Sequence, residues 1–223
     1  MIKLVTVADI VSLSNALFGF LAMLMIFSNE TRFAYSFILL ALLADGLDGV
    51  IARKTRKGDL GEYMEAMADM ISLGIAPVFF VYHIYESQLV GTGFIHGVFV
   101  GVLLVFLSCS IIRLASFHII KAEAYFVGLP ASAATMFLII FSLFSVDLYL
   151  LLILIVIVGI VLVSSVRFPK LSLRMNMVAA ILILLTIVVG EQYFSFAPLM
   201  LCISLVLYSV GGPVYLSFYK KNF

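Results

Sequence analysis

Residues 36–56 read Ser-Phe-Ile-Leu-Leu-Ala-Leu-Leu-Ala-Asp-Gly-Leu-Asp-Gly-Val-Ile-Ala-Arg-Lys-Thr-Arg, an apolar run that ends in acidic, glycine and basic residues. Apolar runs of this kind fill the chain, which is 65% hydrophobic over 223 residues with a mean hydropathy of +1.26. Soluble domains are about half apolar, so this chain has too little polar surface to face water. The sequence therefore predicts an all-α fold, a polytopic transmembrane helix bundle.

The polar breaks between apolar runs predict about eight spans, since a span takes about 20 residues. The predicted spans are 12–28, 33–52, 62–85, 94–116, 131–146, 148–166, 176–190 and 196–217. Lys3, Asp9 and Ser12 interleave with apolar residues before the first span, which predicts a short N-terminal interfacial helix. We expect one integral membrane domain over 1–223, with a core at 1–170 and an additional transmembrane hairpin at 171–223.

The distribution of basic residues predicts the orientation. A cytoplasmic N-terminus places twelve of the thirteen Lys and Arg residues on the cytoplasmic side, with Arg32 as the exception. The sequence thus predicts a multi-pass protein of the cell membrane whose acidic helix ends face the cytoplasm. The net charge of +1 gives no sign of nucleic-acid binding.

Acidic residues cluster at the end of the second predicted span and the start of the third. Six of the twelve acidic residues lie within residues 45–69. On the second span, the residues that share one helical face at about 100° per residue are Asp45, Asp48, Gly49 and Ala52. On the third span, a spacing of four residues aligns Gly61, Glu65 and Asp69.

Carboxylates in a membrane helix call for a positive partner. Each costs about 2.5–3.5 kcal/mol on insertion scales, and neighbouring carboxylates repel one another. Arg53 can neutralise only one of them, whereas four oxygen donors suit a pair of divalent cations, Mg²⁺ or Mn²⁺. The glycines and the alanine leave room for a bulky ligand.

At these residues the sequence resembles the CDP-alcohol phosphotransferase family, whose pattern is D-x2-D-G-x2-A-R-x7/8-G-x3-D-x3-D. Seven of its eight fixed positions match, and Glu65 stands where the family has its third aspartate. The resemblance implies a six-helix core, a homodimer, two divalent cations and transfer of a lipid phosphate from a CDP-lipid to an alcohol, with release of CMP.

The resemblance also implies residue roles. The positions that correspond to catalytic metal ligands are Asp45, Asp48, Glu65 and Asp69, and Asp69 also corresponds to the general base. The positions that correspond to the CDP-lipid site are Gly49, Ala52, Arg53 and Gly61.

Three further stretches look like the serine-accepting branch of the family, the phosphatidylserine and archaetidylserine synthases. They are residues 6–19, residues 113–117 together with 126–134, and residues 163–169. This likeness implies L-serine as the acceptor, and the carboxylate of serine needs a cation. Arg113 and Arg167 are the candidates, and Lys121 is a further candidate for serine or the lipid phosphate.

Three alternatives remain open at this point. The same chemistry with another acceptor, glycerol 3-phosphate or inositol phosphate, fits the acidic pattern equally well. Buried carboxylates also mark cation and proton transporters, although no internal repeat is visible in the sequence. Finally, apolar side chains do not distinguish CDP-diacylglycerol from CDP-archaeol as the lipid substrate.

Overall fold

The computed structural model describes residues 6–54, 60–117, 125–189 and 196–219, with the side chains of residues 8, 48–54 and 219 excepted. The chain divides into two compact units, Met1–His83 and Ile84–Phe223. The division into a core and an additional hairpin, predicted from the sequence, is a different one and stays a prediction.

The first unit is built around helix α1. Its helices are α1 (Val7–Phe27), α2 (Thr31–Lys54) and α3 (Gly61–Asp69), followed without a break by a π-helical segment (Met70–Ile75) and by α4 (Ala76–Tyr85), which ends in the second unit. Helix α1 packs against α2, α3 and the π-helical segment. It is therefore the common neighbour of the elements that carry the acidic motif.

Helix α1 begins with a capping box. The Thr6 backbone N–H donates to Asp9 Oδ2 at 2.7 Å, and the Asp9 backbone N–H donates to Thr6 Oγ1 at 3.4 Å. These bonds satisfy donors of the first helical turn, and α1 then runs unbroken to Phe27. The expected interfacial helix is therefore not a separate element over residues 7–12, which form the first turns of α1; residues 1–5 lie outside the described part of the chain.

The π-helical segment follows Asp69 directly. The Ala76 N–H donates to the carbonyl of Ile71, five residues earlier, instead of the usual four. Pro77 comes next, and a proline inside a helix has no N–H and crowds the carbonyl four residues before it. The widened turn accommodates this proline. It was not predicted from the sequence, where residues 62–85 read as one uniform helix.

The second unit contains a helical stretch at Glu86–Leu89 and five further helices within the described residues. These are α5 (Gly93–Phe117), α6 (Ala131–Leu143), α7 (Leu148–Leu162), α8 (Leu173–Val189) and α9 (Phe196–Tyr219). Two short strands, β1 (Tyr125–Val127) and β2 (Arg167–Pro169), pair antiparallel. Helix α9 packs against α8, α6 and β2, so the C-terminal hairpin is an integral part of this unit.

The turn between α6 and α7 is tight. Ser145 adopts a positive φ of 47°, and the Asp147 side chain caps α7 by accepting from the N–H groups of Tyr149 and Leu150. The carbonyl of Val146 accepts a hydrogen bond of 2.7 Å from the hydroxyl of Tyr85. These contacts explain how two helices are joined by only four residues.

Several helices have the length and composition of membrane spans. Within the described residues, four helical stretches are long and apolar enough to cross a bilayer: Asp9–Phe27, Gly61–Leu89, Gly93–Phe117 and Phe196–Phe218. Helices α6, α7 and α8 are apolar but shorter. Large side chains such as Leu104 and Leu207 are exposed, as lipid-facing residues are. The predicted all-α fold of a polytopic membrane protein is confirmed.

The closest approach of α1 to the π-helical segment is at Gly19. A Cβ atom on Gly19 would lie 2.6 Å from the Cα of Ser72, so only glycine fits there. We expect Gly19→Ala to lower stability by about 1–3 kcal/mol through overpacking, seen as a lower melting temperature in detergent.

Gly97→Ala in α5 is the matched control, because in the described part of the chain nothing beyond the local helix backbone lies within 4 Å of the Cβ that it adds. Alanine favours a helix over glycine by about 1 kcal/mol, so this variant should be as stable as the parent or more so. Equal melting temperatures for the two variants would contradict the close approach at Gly19.

Candidate functional site

Asp69, the last residue of α3, is the buried carboxylate of the predicted site. Its side chain is buried, with 9% of its surface exposed. The Nδ2 group of Asn15, a fully buried residue of α1, donates a hydrogen bond to Asp69 Oδ1 at 2.8 Å. The carboxylate that the sequence predicts to be the general base is thus held inside the first unit by Asn15, to which the sequence analysis gave no role.

Asn15 belongs to a polar face of α1. Asp9, Ser12 and Asn15 recur every three residues and are all buried, with 2%, 4% and 0% exposure. The same face continues with Gly19 and Ala22, which are also buried. The half of α1 that lies nearer the N-terminus therefore turns polar groups inward, while the other half turns small and apolar groups inward.

The other motif residues lie on α2 and α3 as predicted. Asp45 and Glu65 are half-buried, and Gly61 is buried at the start of α3. Asp48, Gly49, Ala52 and Arg53 lie in the last turns of α2, but their side chains are outside the described part of the chain. Among the described side chains, no group of three His, Cys, Asp or Glu residues is placed to hold a metal ion. The site of four carboxylates stays a prediction.

The donor chemistry nevertheless fits a hard divalent cation. The described motif side chains offer carboxylate oxygens only, which Mg²⁺ and Mn²⁺ prefer. Beside Asp69, the Oδ1 atom of Asn15 is buried and has no hydrogen-bond partner among the described residues. A buried oxygen of this kind is the group that a bound cation, or a molecule on that cation, would satisfy.

In the second unit, Arg113 is buried near the end of α5. Its Nε donates to the carbonyl of Leu129 at 3.0 Å, and its guanidinium carbon lies 5.6 Å from the centre of the Phe117 ring. Arg113 thereby anchors the segment that leads into α6. The guanidinium has five N–H donors, and the bond to Leu129 uses one of them.

Arg167 is an exposed residue of β2. It pairs with Val127 in the strand register, and its guanidinium carbon lies 4.9 Å from the centre of the Tyr125 ring. Lys170 lies over Phe126 in the same way, at 5.4 Å. Lys121, the third predicted serine ligand, is outside the described residues.

The β1–β2 pairing was missed by the sequence analysis. It joins two of the segments that resemble the serine branch, residues 125–127 and 167–169. Gly128 follows β1 with a φ of 78°, and a side chain there would collide with the carbonyl of Leu162. An indication of strands was present in the sequence, as each segment has aromatic residues close to a glycine or proline. Strands of three residues, however, are too short to show a periodic pattern.

The fold and the acidic helices define an α-helical membrane protein with a buried carboxylate site. The sequence model of the CDP-alcohol phosphatidyltransferase family matches residues 5–210, and the chain belongs to this family.

Relatives of known function cover most of the chain. A CDP-diacylglycerol–serine O-phosphatidyltransferase of Methanocaldococcus jannaschii is 30% identical over 93% of this chain and 94% of the relative. The archaetidylserine synthase of Methanothermobacter thermautotrophicus is 33% identical over 74% of this chain and 70% of the relative. A CDP-diacylglycerol–serine O-phosphatidyltransferase of Bacillus subtilis is 29% identical over 71% of this chain and 87% of the relative.

The effect of Glu65, which stands where the family pattern has aspartate, can be tested by substitution. Glu65→Asp should preserve or raise the release of CMP from a CDP-lipid, because it restores the shorter carboxylate of the family pattern. Glu65→Ala should abolish it, because both oxygen donors are lost. The measurement is CMP release against Mg²⁺ or Mn²⁺ concentration, with excess EDTA as the metal-free reference.

Glu62→Ala is the matched control, since Glu62 is half-buried on the same helix and lies outside the family pattern. It should keep the metal dependence of the parent protein. A Glu65→Ala variant with unchanged metal dependence would show that residue 65 is no metal ligand here.

Proposed function

We propose that the protein transfers the phosphatidyl or archaetidyl group of a CDP-lipid to L-serine and releases CMP, a step of phospholipid biosynthesis. The observation that carries this proposal is the acidic motif on α2 and α3, in a chain that a serine O-phosphatidyltransferase matches over 93% of its length. The buried Asp69 carboxylate on α3 supports it, because the reaction needs a base shielded from bulk water.

In this proposal, four carboxylates would hold two divalent cations: Asp45, Asp48, Glu65 and Asp69. When bound, such cations supply the positive charge that neutralises the diphosphate and stabilises the leaving CMP. The choice between Mg²⁺ and Mn²⁺ is left to experiment.

Asp69 accepts the proton of the serine hydroxyl. The hydroxyl oxygen then forms a bond to the lipid-linked phosphorus, and the bond from that phosphorus to the CMP oxygen breaks. The burial of Asp69 and its hydrogen bond from Asn15 limit the orientations of its carboxylate, which favours proton transfer along one direction. Asp69 is therefore the residue that we expect to be least replaceable.

The CDP-lipid binds along the small residues of the motif. Gly49, Ala52 and Gly61 add almost no side-chain volume, so a nucleotide can approach the helix backbone. Arg53 supplies a cation for the diphosphate. Gly61 is buried at the start of α3, which agrees with a position that has no room for a larger side chain.

Arg113 and Arg167 are the proposed partners of the serine carboxylate. The stacking of Arg167 on Tyr125 limits its freedom while leaving it exposed to an incoming ligand. Arg113, which is buried, is held by the hydrogen bond from its Nε to the carbonyl of Leu129. Lys121 is proposed as a further contact for serine or the lipid phosphate.

We further propose that the site faces the cytoplasm, where soluble serine and CDP head groups are available, and that the protein resides in the cell membrane as a homodimer. The asymmetry of basic residues supports the orientation. Family membership supports the dimer.

The acceptor is tested with a labelled CDP-lipid and a panel of serine, glycerol 3-phosphate, inositol phosphate and inositol. We expect CMP release to be stimulated by serine alone, with either CDP-diacylglycerol or CDP-archaeol as the lipid. Stimulation by glycerol 3-phosphate or inositol phosphate instead would move the protein to a sister branch. A CDP-lipid that yields no CMP with any acceptor, while a cation crosses the membrane, would favour the transporter alternative.

The role of the arginines is tested through the serine KM. One charge-assisted contact to a carboxylate is worth about 1.5–3 kcal/mol, so Arg113→Ala or Arg167→Ala should raise the serine KM about tenfold to 150-fold. The KM for the CDP-lipid should stay nearly constant. Melting temperatures are measured in parallel, because Arg113 also binds the Leu129 carbonyl.

Lys170→Ala is the control, as Lys170 is a neighbouring cation with no predicted role in serine binding. If both arginine variants keep a normal serine KM, the serine pocket lies elsewhere.

A further inference from the structure

The orientation of the Asn15 amide is fixed by its partner. The NH₂ group of Asn15 faces Asp69 Oδ1, and this assignment suits an ionised carboxylate, which accepts hydrogen bonds and donates none. The opposite assignment would bring two acceptor oxygens within 2.8 Å of each other. The carbonyl oxygen of Asn15 therefore points away from the Asp69 oxygen that its NH₂ group binds.

That carbonyl oxygen is the unusual feature of this part of the molecule. Asn15 is fully buried, and its Oδ1 has no hydrogen-bond partner among the described residues. Buried polar atoms are almost always paired, and a bound donor such as a water or a ligand hydroxyl is one explanation of an unpaired acceptor. The Asn15 oxygen belongs to the same amide that holds Asp69, so such a donor would bind next to that carboxylate.

The backbone around Asn15 keeps this geometry constant. One turn further along α1, Gly19 lies directly against Ser72, three residues beyond Asp69. The absence of a side chain at Gly19 lets the backbone of α1 approach the π-helical segment closely, with no space between them for a Cβ atom. The position of Asn15 opposite Asp69 therefore depends on the packing of these two backbones.

We propose that Asn15 is a positioning residue of the transferase site: its amide N–H orients the Asp69 carboxylate, and its carbonyl oxygen accepts a hydrogen bond from an O–H donor bound beside Asp69. The donor is either the hydroxyl of the acceptor alcohol or a water on a bound cation. The inference rests on the role of Asp69 in the proposed function and adds a third helix, α1, to the site.

The first test compares Asn15→Leu with Asn15→Gln. Leucine has a similar volume but no polar atoms, so kcat should fall about tenfold to 150-fold, the value of one hydrogen bond to a charged group. Glutamine keeps both ends of the amide and should restore part of the lost rate. If Asn15→Leu does not fold, Asn15→Ala, which only removes atoms, replaces it.

Ser72→Ala is the matched control. Ser72 is equally buried and packs against the same face of α1, and among the described residues its hydroxyl donates to the carbonyl of Ala68 on its own helix. It should change the melting temperature alone. If Asn15→Leu behaves in the same way, with kcat, both KM values and Mn²⁺ affinity unchanged, its role is purely structural and the proposal is wrong.

The second test measures Mn²⁺ affinity by calorimetry, without turnover. Because the Asn15 amide holds Asp69, the loss of Mn²⁺ affinity in Asn15→Leu should be clearly smaller in an Asp69→Asn background than in the parent protein. Additive losses would overturn the proposal. This cycle stays informative even if no acceptor supports CMP release, so failure of the proposed function and failure of this inference can be told apart.

The two sources of the O–H donor give different patterns. A serine KM that rises in Asn15→Leu beyond its rise in Asp69→Asn identifies the acceptor hydroxyl as the donor. An unchanged serine KM with weaker Mn²⁺ binding identifies a cation-bound water.

Discussion

The rest of the first unit depends on one constraint: a carboxylate placed among lipid-embedded helices must be matched by a hydrogen-bond donor or a cation. The structure meets it with polar groups on a single helix. Asp9 is matched by Thr6 in the capping box that starts α1, and Asp69 is matched by Asn15 two turns further on. The bond between Asn15 and Asp69 requires α1 to lie directly against α3, and α1, whose sequence carries no acidic motif, is the common neighbour of the helices that do.

The backbone has two unusual features beside this contact. Gly19 gives up its side chain where α1 meets Ser72, and the helix that carries Asp69 widens into a π-helical turn immediately after it. Pro77 accounts for the widened turn, since it supplies no N–H and crowds the carbonyl before it. Such turns often lie at functional sites. Here the turn changes the helical phase just beyond Asp69, so Asp69 and the apolar residues that follow it need not share one face.

The sequence analysis predicted the features that follow from local, periodic patterns of residues. The apolar runs gave the helices, with ends within a few residues of those in the structure, and the spacing of Glu65 and Asp69 gave their common helix. It could not predict the bond between Asn15 and Asp69, which are 54 positions apart, because no periodicity links two helices across that distance. The pairing of Val127 with Arg167 could not be predicted for the same reason. Both contacts depend on tertiary packing, and local patterns do not encode it.

The identity of the Asp69 partner has a chemical consequence. A lysine or arginine in place of Asn15 would also satisfy the buried carboxylate, and would do so more strongly. It would, however, cancel the negative charge that attracts a divalent cation. A neutral amide orients the carboxylate through one N–H and leaves the charge of Asp69 in place. The amide also adds a carbonyl oxygen to a site that otherwise offers carboxylate oxygens. An asparagine therefore fixes the orientation of Asp69 without supplying the positive charge that the metal ions would bring, which a basic residue cannot do.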